Sequence, residues 1–150
     1  MLTLRRDQLA LQAHLEGWDL HAADPPGQGS LRPWAKGELL ELPVHELWCR
    51  QDPDGPWQLE IMLGETNNGD WLFRRNPAVA RSLRTLGTTT NDGVPYIAPE
   101  ILLLFKAKHP RPKDEQDFNG VIAKLESPSR DWLRTAISAT HPDHPWLRRL

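Results

Sequence analysis

Cysteine is nearly absent: Cys49 is the only one in 150 residues. A single thiol excludes an internal disulfide framework and a cysteine zinc cluster, and it fits a reducing, cytoplasmic compartment. No apolar run approaches the roughly 20 residues that a membrane-spanning helix needs, the longest aliphatic stretch being Ile101–Phe105. Arg5, Arg6 and Asp7 interrupt the first residues where a signal peptide would carry an apolar segment, so neither secretion nor a membrane partner is expected. Neither sign of charge is in excess, since 18 Lys and Arg stand against 20 Asp and Glu for a formal net charge of −2. A general nucleic-acid binder shows a basic domain, so nucleic acid is not an expected partner. P-loop, Rossmann and nucleophile-elbow patterns are missing, and so are internal repeats.

Hydrophobic residues at 39% and charged residues at 25% allow a buried core and exclude a disordered tail. The length suits one ordinary domain. Fourteen Pro and seven Trp are the unusual counts. Proline punctuates elements, so short elements and many turns are expected. The Trp residues are scattered rather than interleaved with basic residues, which reads as core and loop anchors, not a base-stacking platform.

Composition shifts after Asn91-Asp92-Gly93. Residues 1–93 read as short strands and turns, and residues 94–150 as a helical segment packed on them in one compact unit. Thr3 alternates with Leu2 and Leu4 as at the end of a strand. A helix is expected over Asp7–Glu16, with Asp7 as N-cap and Gly17 just past the end. Asp24–Gly37 (D-P-P-G-Q-G-S-L-R-P-W-A-K-G) reads as a loop pinned by Leu31 and Trp34. Strands are expected at Trp18–Ala22, Leu39–Leu42, Val44–Arg50, Trp57–Leu63 and Trp71–Arg74. The clearest alternation is Leu59, Ile61 and Leu63 against Gln58, Glu60 and Met62. Gln51–Pro56 and Asn67–Asp70 read as hairpin turns. Pro99-Glu100 suits a helical first turn, with Ile101, Leu102, Leu104 and Phe105 inward. A second helix begins near Lys113-Asp114 and a third after Ser127 as N-cap. A last turn near Asp143-His144-Pro145 brings Trp146 and Leu147 to the core.

Lys106, Lys108, Arg111 and Lys113 crowd a helix end and the next helix start. Such a cluster can neutralise a polyphosphate while a helix N-terminus offers backbone N–H groups. It can equally be a solvated turn, with the lysines capping one helix and Asp114 the next. Asp52-Pro53-Asp54 has the letters of a metal-binding Asp-x-Asp but lies in a turn. His109, His141 and His144 have zinc-ligand chemistry, but Pro142 and Pro145 break the geometry that would aim them together. Cys49 reads as a buried thiol.

The run P-Y-I-A-P-E, L-L-L-F-K-A-K, R-P-K-D-E-Q-D-F, D-W-L-R-T-A and H-P-D-H-P-W-L, with G-D-W-L-F-R-R-N-P and L-P-V-H-E-L-W-C-R upstream, resembles the aminoglycoside and lincosamide adenylyltransferase-like nucleotidyltransferases. The resemblance covers most of the chain and implies an α+β fold: a small mixed β-sheet flanked by helices, then a C-terminal helical segment. It implies transfer of AMP from ATP to a hydroxyl of a small molecule, with Mg²⁺ held by carboxylates. The family's Gly-Gly or Gly-Ser turn and Asp-x-Asp strand normally precede a stretch like Leu2–Asp7. The resemblance therefore implies a member truncated at its N-terminus, with the fold incomplete there and activity weak or lost.

By the same resemblance, Glu60 between Leu59 and Ile61 matches the family's third carboxylate, as general base or metal ligand. Glu65 matches it less well. Lys106 and Lys113 would bind the nucleotide phosphates. Expected partners are a nucleoside triphosphate and a small hydroxyl-bearing acceptor. The alternative is a non-catalytic nucleotide- or protein-binding module, for which a homodimer through an exposed sheet edge is the expected form.

Overall fold

In the computed structural model, which describes residues 1–150, the chain forms two units, Met1–Asn67 and Asn68–Leu150. The architecture is α+β, with a mixed sheet and four α-helices. No helix is long and apolar enough to cross a membrane.

The first unit holds β1 (Leu2–Leu4), α1 (Gln8–His14), β2 (Asp19–Ala23), β3 (Leu31–Pro33), β4 (Glu46–Arg50) and β5 (Leu59–Asn67). Its strands lie in the order β3-β2-β4-β5-β1. The β4–β5 pair is antiparallel with Leu47 opposite Ile61 and Cys49 opposite Leu59, as the Gln51–Pro56 turn predicts. β1 runs parallel to β5, with Leu2 opposite Met62 and Leu4 opposite Gly64. Because successive side chains alternate across a strand, Leu47, Cys49, Ile61 and Leu63 reach the core. There they meet Leu15, Ala22, Trp34, Leu40 and Val44. Glu46, Trp48, Arg50 and Glu60 take the opposite face.

Several expectations are corrected in this unit. Leu39–Leu42 is not a strand. Gln8 takes up the Leu40 backbone instead, accepting its N–H at 2.7 Å and donating to its carbonyl at 3.3 Å. The Arg5 guanidinium donates to the Leu40 and Val44 carbonyls at 2.9 and 2.8 Å, so both buried Leu40 backbone groups are bonded without a ladder. Helix α1 is shorter than expected, because Arg5–Asp7 forms a 3₁₀ turn ahead of it. Inside the expected loop, Leu31–Pro33 pairs with β2. Arg32 fastens it by ion pairs to Asp24 at 2.8 Å and Glu38 at 2.7 Å. Trp34 does pin this segment: it is buried and its indole N–H donates to the Glu38 carbonyl at 2.9 Å.

The second unit holds β6 (Asp70–Leu72), β7 (Ala80–Ser82), β8 (Gly87–Thr89), β9 (Pro95–Ile97), α2 (Pro99–Lys106), α3 (Pro112–Ile122) and α4 (Ser127–Thr140), then a 3₁₀ turn over Pro145–Arg148. β6 pairs antiparallel with β7, and β8 with β9. Ahead of β6, Asn68 and Gly69 take φ of 50° and 87°, the two left-handed residues that an Asn-Gly turn supplies. Helices α2, α3 and α4 each carry Pro in the first turn, where its missing N–H costs nothing. α2 buries Ile101, Leu103 and Leu104. Leu102, expected inward, is 45% exposed, because at 100° per residue it falls on the face opposite Leu104. Ser127 is the first residue of α4 rather than its cap; Glu126 holds that place.

Candidate functional site

β5 carries Glu60 on the face away from the core, exposed and directly opposite Trp48 of β4. The strand that places it forms because Leu59, Ile61 and Leu63 are drawn inward. The Met1 ammonium donates to the Glu60 carbonyl at 2.7 Å, so the start of the chain lies alongside this residue.

The other charged groups on this face are already engaged. Asp19 accepts from Arg50 at 2.7 Å and meets His21 at 2.9 Å. The Arg50 hydrogen bond, ahead of the His21 contacts, holds the Asp19 carboxyl below the usual range. Glu46 accepts the Trp48 indole N–H at 2.9 Å. Trp57 lies edge-on to His21 at 5.1 Å, with Arg50 over its ring at 4.2 Å. Glu60 makes no ion pair among these. The surrounding set of Asp19, His21, Glu46, Trp48, Arg50 and Trp57 was not singled out from the sequence. Glu46, Trp48 and Arg50 carry a period-2 signal, but the cross-strand partners that give it meaning are distant in the chain. Glu65 is engaged elsewhere, as the partner of Arg5 at 2.6 Å.

Lys106 and Lys113 belong to the second unit. Lys106 ends α2, 17% exposed, and its ammonium lies 2.6 Å from both Asp114 and Asp117. Hydrogen bonds to those two carboxylates, Asp114 first, raise its pKa. Asp114 is buried and accepts from the Arg111 side chain at 2.9 Å and the Arg111 N–H at 3.0 Å. These bonds, with Arg111 leading and Lys106 next, hold its carboxyl far below the usual range. The start of α3 is therefore filled by the protein's own carboxylate. Lys113, on the first turn of α3, is exposed. The sequence brings Lys106 and Lys113 to one helix junction, as expected, with Lys106 tied to acids and Lys113 in solvent.

The remaining candidates carry no site. Asp52 accepts the Asp54 N–H at 3.0 Å within the β4–β5 turn, both side chains in solvent. Cys49 is fully buried, and burial pushes its thiol up to about 11, so it is not a nucleophile. No three Asp, Glu, His or Cys side chains gather where they could hold a metal ion. A cleft of about 740 Å³ in the first unit is lined by Leu9, Gln12, Trp18, Trp34 and Lys36 among others, and Glu60 is not part of it. A scan against protein-family models and searches of curated proteins and of solved structures found no match.

Proposed function

We propose that this chain is a nucleotidyltransferase-like protein, of the kind that passes AMP from ATP to a hydroxyl of a small acceptor. We further propose that these 150 residues turn nucleotide over weakly or not at all on their own. The observation that carries the reading is the parallel β1–β5 pair, which sets Leu2–Leu4 against Met62–Gly64 and the Met1 ammonium on the Glu60 carbonyl. Glu60, exposed and free of an ion pair, is the group able to accept the acceptor's proton. Lys113, like Lys108, is exposed and open to a phosphate. Lys106 can serve one only by releasing a carboxylate.

Mg²⁺ would supply the charge neutralisation on which in-line transfer depends. The residues present do not fit a pair of such ions, because no three Asp, Glu, His or Cys side chains gather around Glu60.

The test is AMP transfer by the purified chain, with ATP, Mg²⁺ and a panel of hydroxyl-bearing small molecules. The chain as it stands should show no transfer above background. Adding a Gly-Ser turn and an Asp-x-Asp strand ahead of Met1 should bring in Mg²⁺-dependent transfer that Glu60→Gln removes. Clear turnover by the unextended chain, or an extended chain indifferent to Glu60→Gln, would overturn the reading. The lack of gathered carboxylates also supports a second reading, a non-catalytic nucleotide- or protein-binding module. ATP binding that weakens with Lys113→Ala, with no transfer after extension, favours that module. A dimer in sedimentation would be its self-associating form.

A further inference from the structure

The end of the second unit is closed by a buried aromatic clamp. Trp146 is fully buried and stacks on Phe118 of α3, with ring centroids 4.4 Å apart and planes at 14°. Its indole N–H donates to Glu115 at 2.6 Å. His144 holds the turn that delivers it. Only 9% exposed, His144 sits at the N-cap of the 3₁₀ turn, where its Nδ1 accepts the Trp146 backbone N–H at 3.1 Å. Its ring packs edge-on to the Trp146 indole at 4.8 Å.

An Nδ1 that accepts an N–H carries no proton, so the neutral ring keeps its proton on Nε2. That Nε2 is buried and has no hydrogen-bond partner. Two consequences follow. With a proton on Nε2, the ring has no lone pair there for a metal. And a second proton could go only onto Nδ1, where it would face the Trp146 N–H and break the cap.

The surroundings also disfavour a second charge. His141 lies with its ring 6.3 Å away, its own Nε2 buried and unpartnered. Arg75 and Lys108 bear on His141 as cations. The acid that bears on His144 is Glu115, which already accepts from Trp146 and from Arg149 at 3.1 Å.

We propose that protonation of His144 is an acid-operated release of this clamp, undoing the 3₁₀ turn and freeing Trp146 from Phe118. Burial is the leading cause that sets the pKa of both His141 and His144 below the ordinary 6.5, outweighing at His144 the opposing pull of Glu115 and the Ala107 carbonyl. The native state therefore holds these rings neutral while the unfolded chain takes up protons near 6.5. Stability is complete above that value and falls as the pH drops through it towards the lower native values, by up to one proton of uptake per histidine.

The test is NMR of the full chain from pH 8 to pH 5, following the ring C–H signals of His144 with the backbone and indole N–H signals of Trp146. The His144 ring should titrate below 6.5, and both Trp146 signals should shift or broaden with the same midpoint. His144→Asn keeps a side-chain acceptor for the Trp146 N–H but does not titrate, so its denaturant midpoint should lose less between pH 7 and pH 5. A His144 ring titrating at or above 6.5, Trp146 signals that ignore its titration, or an unchanged pH dependence in His144→Asn would each overturn the proposal. The wild-type titration decides alone if the variant does not fold.

Discussion

Glu100 offers the sharpest test of how the second unit is held together. Its carboxylate, 3% exposed, accepts from Arg81 at 2.7 Å and from the Ser129 hydroxyl at 2.8 Å. That ties β7, α2 and α4. Arg81 is poorly placed to lose it: its Nε is buried without a partner, and its guanidinium lies over Trp132 at 5.1 Å. Glu100→Leu would leave a charge with no acid in a largely dry site. Breaking a buried pair from one side costs about 3–5 kcal/mol. The Arg81 side chain is 17% exposed, so water offsets part of the loss and the expectation falls to about 2–4 kcal/mol. For a chain of this size each kcal/mol moves Tm by about 2–4 °C.

The assay is urea denaturation followed by circular dichroism at neutral pH, as a full cycle with Arg81→Met. The double variant should recover most of the loss, because removing both charges leaves nothing unpaired. A Glu100→Leu cost under about 1 kcal/mol, or a double variant as unstable as the two singles summed, would refute the assignment of this pair as the tie.

Three further outcomes follow from named groups. Cys49, buried and with its thiol pushed up to about 11, should resist a thiol reagent at pH 8 in the native protein and react fully once unfolded. Asp114 has a lowered native pKa, so its contribution is complete above its ordinary 3.8 and is lost as the pH falls through the native value. Asp114→Asn should therefore flatten the acid limb of the stability curve below about pH 4. A Cβ on Gly87 would lie 2.5 Å from the Tyr96 carbonyl oxygen, so Gly87→Ala should speed amide exchange in β8 and β9.

Elements whose signals are local were legible in the sequence. Pro99 and Pro128 in a first turn mark the starts of α2 and α4, and α3 starts within two residues of the expected Lys113-Asp114. The alternation around Ile61 located β5. Elements held by distant partners were not. Leu39–Leu42 has a strand's composition, yet the side chains of Gln8 and Arg5 take both Leu40 backbone groups. Leu31–Pro33 has a loop's composition, yet it pairs with β2 while Arg32 holds Asp24 and Glu38. The candidate site divides in the same way. Glu60, Lys106 and Lys113 stand out as residue types, but the bond from Lys106 to a buried Asp114 depends on how α2 and α3 pack. So does the cap that His144 provides for Trp146, which two neighbouring prolines conceal.

Arg5 and Gln8 lie more than thirty positions from Leu40 and Val44, and Arg5 sixty from Glu65. During synthesis the first helix must therefore wait, its polar side chains solvated, until β5 has cleared the ribosome. Only then can the first unit close cooperatively. Closure of such wide loops is slow, and a nascent chain arrested before residue 65 should remain open to proteases however well its first turn has formed.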